Sequence, residues 1–111
     1  MTWDVVYLPE AGKELEALDG SSRLLVRKAI QKTRTNPLPQ QEGGYGKPLG
    51  NRGNRNLTGL MKIKLRASGL RILYKLQRQE ERMLVVVIGV RADEEVYDTA
   101  ARRMEKYDLT D

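Results

Sequence analysis

The chain has neither cysteine nor histidine among its 111 residues. Without cysteine there is no disulfide frame and no thiolate chemistry. Without either, a zinc or other transition-metal site lacks its usual ligands. A Ser-His-Asp or Cys-His nucleophile is excluded as well. Any acid–base catalysis therefore falls to Asp, Glu, Lys, Arg or Tyr. No apolar run approaches the roughly 20 residues of a membrane span. Met1-Thr2-Trp3-Asp4 has neither the basic nor the apolar region of a signal peptide. The expectation is a cytoplasmic protein with no membrane partner, no metal and no cofactor.

What is present is charge, unevenly placed. The net charge is +5, yet Lys47 to Arg78 carries nine basic residues and no acidic one, while Asp93 to Asp111 carries seven acidic and three basic. A positive block without compensation along the chain suits a polyanion. The stretch "MKIKLR" sharpens this. Lys62, Lys64 and Arg66 alternate with Met61, Ile63 and Leu65, so a strand would carry three cations on one face and an apolar set on the other. Neighbouring like charges oppose folding. Such a face calls for an anion.

The length fits a single domain spanning residues 1–111. "WDVVYL" (residues 3–8) reads as a strand. Pro9 opens a helix, with Ala11, Leu15 and Leu18 as its stripe. Asp19-Gly20-Ser21-Ser22 breaks it, with a serine expected as the next N-cap. A second helix runs from Arg23 to about Thr35, with Leu24, Leu25, Ala29 and Ile30 as its apolar set, and ends before Pro37. Residues 37–59 read as a glycine-rich loop. Strands follow at Leu60–Ala67, Leu70–Gln77 and Met83–Val90, the last apolar enough to be covered on both faces. Asp93 then caps a final helix with Val96, Ala100 and Met104 on one face, and the tail after Met104 is expected to fray. The fold class is α/β in the α+β sense, with order β-α-α-β-β-β-α: an antiparallel sheet, an N-terminal helical hairpin and a C-terminal helix. The first strand pairs with one of the later three or lies at an edge.

This arrangement allows Lys62, Lys64, Arg71, Arg91 and Tyr97 to converge on one sheet face. Crowded cations raise the local potential and depress a lysine's pKa. They would hold a phosphodiester and stabilise the extra charge of a pentacoordinate phosphorus. RNA brings its own nucleophile, the 2′-hydroxyl. What the protein must add is in-line positioning, a base, charge stabilisation and a proton for the leaving 5′ oxygen. A lysine or tyrosine can move the protons, and arginine can clamp the phosphate. Lys47, Arg52, Arg55 and Arg66 are candidate RNA-phosphate contacts. The same residues also read as a solvated basic face, Tyr97 as helix packing, and Asp93, Glu94 and Glu95 as residues that favour a helix start.

"KPLGN", "LTGLMKIKLRASGLRILYKL" and "VVVIGVRADEEVYDTAARRM" resemble the RelE/ParE superfamily of type II toxins, in its RelE branch. The resemblance covers most of the chain. It implies a ribosome-dependent mRNA endonuclease that inhibits translation, cutting in the ribosomal A site through the 2′-hydroxyl without metal. Its implied partners are mRNA, the ribosome with its rRNA, and a cognate antitoxin that lays a helical segment over the sheet. The family's functional lysines fall on Lys62 and Lys64, its arginines on Arg71 and Arg91, and its tyrosine on Tyr97. On these positions the roles we expect are Lys64 as general base with Lys62 in support, and Arg71 on the scissile phosphate. Arg91 would stabilise the leaving oxygen or assist its protonation, and Tyr97 would stack on or orient a base or share the proton work. The chain departs from the pattern at Thr58, where some members are basic, at Leu70 for a common aromatic, and at Val90 for a common lysine. The alternatives are a ParE-like inhibitor of DNA gyrase and a non-catalytic protein that binds nucleic acid or antitoxin.

Overall fold

The computed structural model describes residues 2–52, 55–90 and 92–110, with the backbone alone at Asn51 and Arg52. One five-stranded sheet organises the chain. Strand β1 is Asp4–Tyr7, followed by helices α1 (Pro9–Ala17) and α2 (Gly20–Thr33). Strands β2 (Lys47–Arg52), β3 (Arg55–Leu65), β4 (Leu70–Gln77) and β5 (Arg82–Gly89) come next, and helix α3 (Asp93–Lys106) is last. The sheet order is β1-β5-β4-β3-β2. β2 to β5 form an antiparallel meander, and β1 pairs with β5 in parallel at the sheet edge. Among the described residues no helix is long and apolar enough to cross a membrane.

The α+β class and the order of the helices hold. The expected loop over residues 37–59 does not: it contains β2, and β3 begins well before Leu60. β2 lacks apolar alternation, so nothing in its own sequence marks it. It exists because β3 is long enough to offer it a partner, Lys47 lying opposite Lys62 and Pro48 opposite Met61. A bulge between Pro48 and Gly50 breaks the register, and Gly50 takes φ +67° there, a conformation that glycine reaches without steric cost.

Two further expectations are corrected at α2. Its N-cap is Asp19, whose carboxylate accepts the Ser22 amide at 2.7 Å, and not a serine. Its buried face is Val26, Ile30 and Thr33, while Leu24 and Leu25 are exposed. Within the described residues the tail is packed as far as Leu109, which corrects the expected fraying. Leu109 donates its amide to the Met104 carbonyl at 2.7 Å and packs with Tyr107 against the core.

The core is the sheet's two faces. β5 is buried from Met83 to Ile88 because β1 and β4 flank it and helices cover it. Each such fully buried aliphatic residue contributes about 1.5–3 kcal/mol of transfer free energy. Val96, Ala100 and Met104 of α3 are buried as their spacing requires. On β3, Ile63 and Leu65 face α2 beside Leu25 and Ala29, so Lys62 and Lys64, one residue out of phase, point to the other face, where α3 lies.

Candidate functional site

The site is built on β3 and β4 by register. Lys64 lies directly opposite Arg71, and Lys62 opposite Leu73. Lys47, on β2, lies opposite Lys62. The alternation of β3 thus becomes a cationic patch three strands wide, from β2 to β4. The first turn of α3 crosses it.

Asp93 is the first residue of α3, and Ala92 occupies the N-cap position without a side-chain cap. The expected capping role of Asp93 is therefore absent. Its carboxylate turns to the sheet instead. Oδ1 accepts Nε of Arg71, and Oδ2 lies 3.5 Å from Nζ of Lys62. Lys62 Nζ also donates to Tyr97 Oη at 3.0 Å and stands 5.5 Å from the centre of that ring. Arg71 Nη1 donates to the Gly69 carbonyl at 2.8 Å. The result is a chain of contacts, Tyr97–Lys62–Asp93–Arg71. The Lys62 and Arg71 side chains are only 10% and 13% exposed. Burial works against the charge of Asp93, but the Arg71 hydrogen bond and the charges of Lys62 and Arg71 outweigh it. The carboxyl is held below the usual aspartate range.

Lys47, Lys64 and Arg66 are exposed and have no ion-pair partner among the described residues. With Gln40, Tyr45 and Asp93 they line an open cleft of about 740 Å³. Arg55 belongs elsewhere. Its Nε meets Asp98 at 2.5 Å and its Nη2 meets Glu94 at 2.8 Å. The acids of α3 thus face the basic strands, and the charge block that sequence shows uncompensated is partly offset in space. Arg91 and the Arg52 side chain lie outside the described residues.

The structure brings together Lys62, Lys64, Arg71 and Tyr97 of the expected set, and Lys47 and Arg66 border them. Sequence reading missed Asp93, because a carboxylate at a helix start has an adequate local explanation. Its partners become visible only in the register of β3 and β4. Tyr97 is 5% exposed and lies under Lys62, so its ring offers no open face on which a base could stack. The assembled groups can hold an anion and move protons. Among the described residues no three Asp or Glu side chains gather to hold a metal ion.

No family model matches the chain. A curated protein of Escherichia coli named as a RelE-like toxin is 30% identical over 105 residues, covering 94% of this chain and 99% of its own length. Among solved structures, an E. coli toxin RelE variant with two arginine-to-alanine substitutions, in the free state, superposes with a TM-score of 0.70 at 25% identity. That match covers 94% of this chain and 99% of the other. The same variant in complex with an antitoxin RelBc peptide gives 0.66 at 25% identity, over 90% and 95% of the two chains. The full-length match, the shared sheet and helix arrangement, and the motifs of β3 to α3 agree: this chain belongs to the RelE-like toxin family.

Proposed function

We propose that the protein is the toxin of a type II toxin–antitoxin pair and an mRNA endonuclease that works in the ribosomal A site. The observation that carries this reading is the register pair Lys64–Arg71, with Tyr97 bonded to Lys62 beside it, at an open cleft that Lys62 and Lys64 line. A phosphodiester seated there meets Arg71 as a clamp. Lys64, which has no bonded partner among the described residues, takes the 2′-hydroxyl proton onto its amine in the fraction of molecules where that amine is neutral, and becomes the ammonium. The 2′ oxygen attacks phosphorus in line, and the 5′ oxygen leaves with a proton delivered through the Lys62–Tyr97 pair. The products are a 2′,3′-cyclic phosphate and a 5′-hydroxyl. Each positioned acid or base typically contributes roughly 10² to 10⁴ in rate.

The cleft is open on one side, so few contacts hold a free RNA strand. That supports a second surface, the ribosome, to supply the positioning. An antitoxin partner is supported by the RelE variant solved with an antitoxin peptide. A segment laid over the cleft would occupy the phosphate seat and offset Lys47, Lys64 and Arg66 in one step.

The test is cleavage of a translated mRNA on purified ribosomes by the wild type and by Lys64→Ala, Arg71→Ala and Tyr97→Phe. Cuts within the A-site codon, lost in the variants, are expected. A folded wild type that leaves the mRNA intact would overturn the nuclease reading and leave gyrase inhibition or simple docking to be tested.

A further inference from the structure

From the contacts of the α3 start we infer that Asp93 is a positioning residue: a fixed anion that holds Lys62 on Tyr97 and Arg71 beside the cleft that Lys62 and Asp93 line. The inference rests on the nuclease reading of the same cleft and adds a residue to it.

Four observations carry it. Asp93 bridges two cations from different strands, one with each carboxylate oxygen. The bridge spans β3 and β4 at the level where Lys62, Lys64 and Arg71 cluster. Lys62, so anchored, aims its ammonium at the Tyr97 hydroxyl. Of the residues that line the cleft, Lys47, Lys64 and Arg66 have no ion-pair partner among the described residues and stand outside this group. The cleft therefore has a held layer and a free layer. A lysine side chain has several rotatable bonds and, unanchored, samples many rotamers. The Asp93 bridge removes that freedom before substrate arrives, which is where preorganisation gains rate.

Asp93 is not a candidate for the proton acceptor. Its carboxyl is already held ionised by its two cations, which makes it a weak base. It also repels phosphate. Asp93 thus opposes substrate binding while aiding the chemical step, and the two effects separate in an experiment.

The measurement is single-turnover cleavage on programmed ribosomes together with affinity for a 2′-deoxy RNA strand that cannot be cut, for wild type, Asp93→Asn and Asp93→Glu. For Asp93→Asn the expected result is a cleavage rate lower by about 10- to 100-fold with affinity unchanged or tighter. Asp93→Glu, which keeps the charge but displaces it, should recover part of the rate. A rate that is unchanged or higher in Asp93→Asn would overturn the inference, since the carboxylate would then be only a place-holder in the phosphate seat. Loss of rate and affinity together would overturn it too, as that is the mark of a collapsed site.

A nitrogen-detected NMR signal of the Lys62 ammonium is read in parallel without any cleavage. It should be sharp and slowly exchanging in wild type and broadened in Asp93→Asn. If wild type fails to cut RNA, the nuclease reading falls while this signal still decides the role of Asp93. An unaltered Lys62 signal in the variant would overturn it.

Discussion

Glu14 of α1 and Arg103 of α3 meet through a two-point ion pair, Nη1 to Oε1 at 2.7 Å and Nη2 to Oε2 at 2.9 Å. The pair sits where β5 runs on past the last residue of β1. There Glu14 also accepts the Ile88 amide at 3.2 Å, and Arg103 donates to the Val86 carbonyl at 2.8 Å. Two side chains serve backbone groups that a longer β1 would otherwise serve. Glu14→Ala strands both the guanidinium and an amide, at a cost of about 2 kcal/mol or more. Glu14→Gln keeps one acceptor and should cost less. Urea denaturation of the three proteins gives the order.

Tyr74 and Gly46 make a second test. Tyr74 is fully buried and donates its hydroxyl to the Pro37 carbonyl at 2.8 Å. A Cβ on Gly46 would collide with that hydroxyl and press on Met61 at 3.2 Å. Tyr74→Phe should cost about 1–2 kcal/mol by leaving a buried carbonyl without its donor. Gly46→Ala should cost more. The double variant should cost less than the sum of the singles, because removing the hydroxyl makes room for the methyl. Strict additivity in thermal melts would show that the clash is relieved elsewhere.

Acid should loosen the contact between α1 and the end of α3. The hydrogen bond from Lys106 and, after it, that from Tyr107 hold the Glu10 carboxyl down at about 2. A carboxyl lowered on folding adds stability that is fully present above its unfolded value of about 4.3. That stability is lost as pH falls through the folded value, so the window runs from about pH 4.5 down to about 2. Glu10→Gln should flatten the pH dependence of stability across that window and leave it unchanged near neutrality. An equally steep acid limb in the variant would contradict the assignment.

Salt should separate docking from chemistry. Lys47→Ala and Arg66→Ala each remove a cleft cation that has no ion-pair partner among the described residues. Each should reduce the salt dependence of single-stranded RNA affinity by a slope of about 0.7 if it meets a phosphate. Single-turnover cleavage at saturating substrate should change little. A variant that lowers the saturated rate by tenfold or more would instead place its residue with the proposed catalytic pair, Lys64 and Arg71.

Much of this fold was legible because its elements obey strong local rules. The alternation of "MKIKLR", the apolar run of β5 and the four-residue spacing of Val96, Ala100 and Met104 each named its element and its buried face. β2 was not legible, because "KPLGNR" has no period of its own and is a strand only through its pairing with β3. The buried face of α2 was misjudged at Leu24 and Leu25 for a related reason: apolar residues show what a face can bury, and packing decides which face meets the sheet. The centre of the cationic half, Lys62 and Lys64, was written in one strand, with Arg71 on the next. Asp93, its acidic half, lies far along the chain from Lys62, and Glu94 and Asp98 do the same for Arg55.

That separation also orders events in time. The basic strands β2 to β4 are synthesised first, and the acids that offset them arrive with the last helix. A chain interrupted before α3 would expose Lys62 and Arg71 without Asp93, and Arg55 without Glu94 and Asp98. Completing α3 therefore changes the chain from a strand set that meets any polyanion to a protein whose cleft presents a chosen few charges.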